Sequence, residues 1–136
     1  MNETEQEVWE VLHRHLQSIF ARDVETYCAT TGSDLSLYEW FVTPHRQDGL
    51  EFHLFMIEHG WAGTAGGFRY DLWEPRLQLY GEPEAQTAVV SYTFMLTLVE
   101  ADGRLTHHQH NESRVLIRRD GRWQVVHVHK SPAVGS

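Results

Sequence analysis

The sequence predicts an α+β domain with helices gathered on one face of a curved antiparallel sheet. Three observations carry that reading. Apolar residues recur at helical spacing through most of the first 61 residues, β-branched and aromatic runs dominate from residue 68 onward, and tight-turn signals separate those runs.

Taken in order, Thr4 followed by Glu7 is a capping-box start. Val8, Val11, Leu12, Leu16, Ile19 and Phe20 then mark the buried stripe of a helix over 4–21. Asp23 caps a second, short helix that Gly32 ends. Residues 35–40 read as a short strand, with Leu35 and Leu37 alternating against Ser36 and Tyr38. Asp48-Gly49-Leu50-Glu51 opens a third helix whose stripe is Leu50, Leu54, Ile57 and Trp61. Phe52, Phe55 and Met56 widen its apolar face, which predicts cover on two sides. Residues 60–67, with four glycines among them, form a flexible connection. The next strand, 68–80, contains Pro75, the mark of a bulge or a sheet edge. Residues 88–99, 104–119 and 122–129 complete a meander, turned at Gly81-Glu82-Pro83, Ala101-Asp102-Gly103 and Asp120-Gly121. One domain over 1–131 with a loose tail at 132–136 is the expected organisation.

Composition bounds the function. The 136 residues suit one domain and leave no room for a kinase or other second catalytic module. At 41% hydrophobic and 12% aromatic the chain buries a core, which excludes disorder as its main state. Nineteen acids against eleven bases, a formal charge of −8, argue against nucleic acid or an anionic membrane as partner. Ten histidines, each adding one charge when protonated, would carry that −8 to about +2, so the surface field depends strongly on pH. No apolar run is long enough to span a bilayer, and the acidic N-terminus is unlike a signal peptide. Cys28 is the single cysteine, which excludes an internal disulfide and a cysteine-based zinc site; a reduced, cytoplasmic setting is expected. No nucleophile motif, phosphate loop or cofactor fingerprint is present, and no cofactor is expected.

The turns set the registers. Asp120-Gly121 suits a two-residue hairpin loop, because type I′ needs positive φ at both positions. Pairing Arg119 with Arg122 then sets Arg114 opposite His127 and Glu112 opposite His129. One face carries Glu112, Arg114, Leu116, Val125, His127 and His129; the other carries Val115, Ile117, Val126 and Val128. Either the helices cover the aliphatic face, or they cap a polar pocket and the aliphatic face meets another subunit. Ala101-Asp102-Gly103 suits a three-residue loop with a G1 bulge, pairing Glu100 with Arg104, Tyr92 with Glu112 and Phe94 with His110.

At these residues a family resemblance emerges. The run from Asn111 to Ser131, with Arg118-Arg119-Asp120-Gly121-Arg122-Trp123-Gln124 and then His127-Val128-His129-Lys130-Ser131, resembles the end of the association (hub) domain of calcium/calmodulin-dependent protein kinase II. Tyr38-Glu39, Gly49-Leu50-Glu51-Phe52-His53 and Glu74-Pro75 resemble further segments of that family. The resemblance implies the NTF2-like cone, three helices packed into a strongly curved antiparallel sheet, in a stand-alone member of bacterial type. It also implies dimers formed through the sheet, stacking into larger rings, and a polar cavity lined by arginines that takes small carboxylates. Arg114 stands at the family's cavity arginine, whereas Phe94 and Lys130 stand where the family has two others.

The candidate sites follow. Arg114 is either an anion anchor or the partner of a buried acid such as Glu39 or Glu112. His53, Tyr92, Glu39, Glu112, His127, His129 and Lys130 complete the expected ligand-binding set, for a small anionic molecule. Val115, Ile117, Val126 and Val128 are the expected interface with a second copy. An alternative reading is a small-molecule isomerase, cyclase or hydrolase of the same fold using Glu39, His53, Tyr92 or His127 for proton transfer. His108 and His110 beside His127 and His129 have the alternation that can converge on a metal, but the pairing carries His110 past His129, and no metal is expected.

Overall fold

The computed structural model describes residues 1–59 and 67–133. Helix α1 (Glu3–Ala21) is capped by Asn2, whose side chain accepts from the Glu5 amide while Glu5 reaches back to the Asn2 amide. The capping box therefore lies two residues earlier than Thr4 and Glu7, with the same chemistry. Val8, Leu12, His15, Leu16, Ser18 and Ile19 form its buried face. Asp23 caps α2 (Val24–Ala29), as the sequence predicts. Gly32 does not end it. The helix stops at Thr30, and Gly32 lies inside β1 (Thr31–Glu39), where the Arg119 and Asp34 side chains and Val126 leave no room for a Cβ.

A two-residue strand, β2 (Gln47–Asp48), pairs with β1 and takes up Asp48, so α3 (Glu51–Glu58) starts without a side-chain cap. Leu54 and the buried His53 and Ile57 face inward. Phe52 and Phe55 are half-exposed, so among the described residues α3 is covered on one side and not two. Trp61 and most of the connection read at 60–67 lie outside the described residues.

Four long strands follow: β3 (Phe68–Tyr80), β4 (Thr87–Val99), β5 (Leu105–Arg119) and β6 (Arg122–Pro132). The sheet order is β2-β1-β6-β5-β4-β3. All neighbours are antiparallel except β1 with β6, which are parallel; the expected all-antiparallel sheet is corrected at that one junction. Between these two strands the chain runs through β2, α3 and the three strands β3 to β5, a long crossover of the kind parallel pairing needs. Pro75 does both things expected of it: β3 is an edge strand, and its register shifts between Trp73 and Arg76, with Glu74 at φ 52°. The strand β6 continues to Pro132, opposite His110, so the sheet extends into what the sequence reading left as tail; residues 134–136 lie outside the described part. No helix among the described residues is long and apolar enough to cross a membrane.

The loop at 101–103 forms as expected. Gly103 is left-handed (φ 86°), Glu100 pairs with Arg104, and Tyr92 and Phe94 lie opposite Glu112 and His110. The Asp120-Gly121 turn also has both residues at positive φ and pairs Arg119 with Arg122. Four residues further on, however, the register shifts: Leu116 faces Val125, but Val115 faces His127, which leaves Val126 as an extra, bulged residue. A one-residue shift exchanges the two faces of everything beyond it. Val128 and Lys130 therefore point into the core, while His127 and His129 point to the outer face. Arg114 lies opposite Val128 rather than His127, and Glu112 opposite Lys130 rather than His129.

The core lies between α1 and the inner face of the sheet. Val8, Leu12 and Leu16 pack with Leu35 and Leu37 of β1, Val90 and Phe94 of β4, Leu116 of β5 and Val125 and Val128 of β6. That burial holds the helices over one end of the sheet and leaves a cavity under the other.

Candidate functional site

Ten polar or charged residues are buried among the described ones, and most belong to two linked clusters. The first is built on Glu112 of β5. Tyr92 donates to its Oε1 at 2.6 Å, Arg114 Nε and Nη2 approach the same oxygen at 3.1 Å, and His110 Nε2 lies 2.5 Å from Oε2. Arg114 Nε also donates to the Tyr92 hydroxyl at 3.0 Å, and its Nη1 to His15 Nε2 at 2.9 Å. An acceptor at Nε2 puts the His15 proton on Nδ1, within 3.1 Å of the Thr30 and Thr31 hydroxyls. The imidazole is then neutral. Its burial, with Arg114 beside it, lowers its pKa well below the ordinary value.

The second cluster is built on Glu39, at the end of β1. Lys130 Nζ donates to Glu39 Oε2 at 2.7 Å, His53 Nε2 lies 3.5 Å from the same oxygen, and Gln47 reaches Oε1. The Tyr27 hydroxyl meets His53 Nδ1 on the other side. Burial pushes both carboxyls up, but neighbouring positive charge and hydrogen bonds outweigh it and hold each well below the usual carboxylate range. Lys130 does this for Glu39, and Arg114 with His110 does it for Glu112. Each buried cation thus has its own buried anion. Removing one member of such a pair leaves a lone charge in the interior, at a cost of about 3–5 kcal/mol.

Arg114, Glu112, Lys130 and His110 form the polar end of a cavity of about 500 Å³. Its walls are Leu16, Ile19 and Phe20 of α1 with Phe94, Leu96 and Leu98 of β4. Trp40 and Phe41, just after β1, stand edge to face on the same cavity, each about half-exposed overall. Phe94 stacks on His110 at 5.3 Å, and Lys130 lies over the Phe41 ring at 5.6 Å.

Of the residues expected to bind ligand, Arg114, Glu112 and Lys130 border this cavity. Tyr92 sits behind Glu112 and Arg114, and Glu39 and His53 sit behind Lys130. His127 and His129 belong to the other side of the sheet: His127 Nδ1 meets the Ser36 hydroxyl at 2.8 Å, and the exposed His129 packs on Tyr38. Of the groups named for proton transfer, Glu39 and His53 come together, Tyr92 belongs to the Glu112 cluster, and His127 lies on the outer face. His110 faces inward, so it and the outward His127 and His129 share no metal-binding face. Of the expected interface residues, Val115, Ile117 and Val126 do reach the outer face at intermediate burial, whereas Val128 is buried in the core.

The sequence reading missed His15 and Tyr27. His15 was within reach, since it falls three residues after Leu12 and four before Ile19 on the apolar stripe of α1. Tyr27 lies on a six-residue helix too short to show a period. Trp40 and Phe41 carry no periodic signal either, because they leave the strand.

The fold and the buried clusters define an α+β cone with a polar-ended cavity. Residues 4–134 match the family described as the calcium/calmodulin dependent protein kinase II association domain, and this chain belongs to that family. It is 28% identical over 126 residues to calcium/calmodulin-dependent protein kinase type II subunit delta of Oryctolagus cuniculus. That match covers 93% of this chain, which spans about a quarter of the relative's length, 23%. The association domain of C. elegans CaMKII superposes with a TM-score of 0.80 at 26% identity, over 94% of this chain and 95% of that one. An NTF2-like superfamily protein from Salmonella enterica (TM-score 0.77, 23% identity, 96% and 92% covered) shares the fold.

Proposed function

We propose that this chain is a self-associating, hub-type domain whose copies meet through the outer sheet face, and whose cavity holds a small molecule. The observation that carries the first half is the character of that face. A sheet covered by helices on one side ordinarily turns polar residues outward. Here Val89, Met95, Val115, Ile117 and the bulged Val126 lie outward at intermediate burial, and Trp73 and Tyr80 are half-exposed on β3. Such a surface suits burial against a second copy, and membership of an association-domain family supports the same reading. The cavity half is supported by its volume and by a polar end of charged groups beneath apolar walls. The finer expectation of a small carboxylate would have the ligand take Arg114 or Lys130 from its present acid.

Light scattering tests the assembly. At micromolar concentration the wild type is expected to run as a multiple of the 15.8 kDa chain. The double variant Val115→Glu/Ile117→Glu should run as a single chain with unchanged far-UV circular dichroism. A wild type that is monomeric at that concentration overturns the reading.

A further inference from the structure

We infer that the cavity selects an uncharged ligand: a flat aromatic molecule carrying one hydroxyl, rather than an anion or a cation. This rests on the preceding proposal that the cavity is a small-molecule site, and adds the ligand's chemical class.

The charge pattern is the first argument. Two cations, Arg114 and Lys130, reach the polar end, and each is already ion-paired with a buried carboxylate, Glu112 at 3.1 Å and Glu39 at 2.7 Å. An entering carboxylate has to displace Glu112 from Arg114 and then lie beside it, two anions in a desolvated space. An entering ammonium meets the same difficulty with Arg114 and Lys130. An ion leaves its hydration shell on entry, and a neutral, internally paired site does not replace that shell.

The second argument is hydrogen-bond chemistry. The polar end presents a carboxylate, which only accepts, beside an ammonium and a guanidinium, which only donate. A hydroxyl does both: it can donate to Glu112 and accept from Lys130 without disturbing either ion pair. A carboxylate can only accept and an ammonium can only donate, so each leaves half of this end unanswered.

Ring chemistry is the third. Phe20 and Phe94 border the same space as the edge-to-face pair Trp40 and Phe41, four aromatic rings around one cavity. Aromatic walls of this kind favour a flat, apolar body by stacked and edge contacts. About 500 Å³ accommodates a body larger than a single ring.

Three probes on one skeleton separate the classes: 2-naphthylmethanol, 2-naphthoate and 2-naphthylmethylammonium, each titrated calorimetrically into the wild-type chain at pH 8. The alcohol is expected to bind more tightly than either ion by at least about tenfold, the scale of one uncompensated polar group in a buried site. Glu112→Gln, which leaves Arg114 without its anion, should reverse the order in favour of naphthoate. Naphthoate or the ammonium binding most tightly to the wild type overturns the inference and leaves the cavity reading standing. No response to any of the three overturns both, while the light-scattering test of assembly is unaffected. Should Glu112→Gln fail to fold, the wild-type series decides by itself.

Discussion

His15 shows how much one residue can decide. It sits on an apolar helical stripe, yet it is the acceptor that holds one arm of Arg114, and Arg114 in turn keeps it neutral. His53 is likewise lowered by burial, against the pull of Glu39. With a folded pKa below 6.5, each histidine binds its proton more readily in the unfolded chain, so the stability tied to it is present above pH 6.5 and is lost as pH falls below that value. Glu39 and Glu112 act in the same direction at lower pH. Their folded pKa values lie below the ordinary 4.5, so their contribution is complete above pH 4.5 and is lost as pH falls through the depressed values. The free energy of urea unfolding should therefore decline from about pH 6.5 downward and steepen below about pH 4.5. In His15→Gln the slope between pH 6.5 and 5 should be shallower than in the wild type, by no more than the roughly 1.4 kcal/mol per pH unit that one proton supplies. An unchanged slope would mean that His15 carries a proton in the folded chain.

Among the elements, β6 is where reading and structure part. The β4–β5 register was legible because a Gly at the third loop position announces a G1 bulge, and the pairing that follows put Tyr92 beside Glu112. The β5–β6 register was legible only as far as Val125. The bulge at Val126 lies within a Val-Val pair, where either residue can face the core, so nothing in composition or alternation marks it. That one extra residue brings Lys130 to Glu39 and turns His127 and His129 away. Alanine substitutions separate the two registers. Val128→Ala should cost about 2 kcal/mol in urea unfolding, the scale for truncating a fully buried aliphatic. His129→Ala should stay within about 0.5 kcal/mol, as exposed positions do. The reverse order would restore the uninterrupted alternation.

At the scale of the whole molecule, the sheet separates two environments. The inner face carries the core and the cavity, and the outer face carries aliphatic and aromatic surface that includes the half-exposed Trp73 and Tyr80. If copies meet there, folding and association are linked, and the melting temperature must rise with protein concentration. Between about 1 and 100 µM the wild type should gain several degrees, as expected where the native state is the associated one. Ile117→Glu should melt at a temperature independent of concentration.

What the sequence determined by itself was the order of elements, the turns and the family, because periodicity, capping and turn residues act over a few positions and are written locally. It also placed Arg114 and Glu112 inward and Val115 and Ile117 outward, since the extra residue lies in β6 and β5 alternates without interruption. Only the tertiary structure decided which charge pairs with which. The partners of Glu39 lie 91 residues ahead in Lys130 and 14 ahead in His53, and Arg114 reaches 99 residues back to His15 and 22 back to Tyr92 as well as to Glu112 on its own strand. Such pairings come from the sum of a bulge, a parallel junction and the seat of α1. No short window of the chain contains that sum.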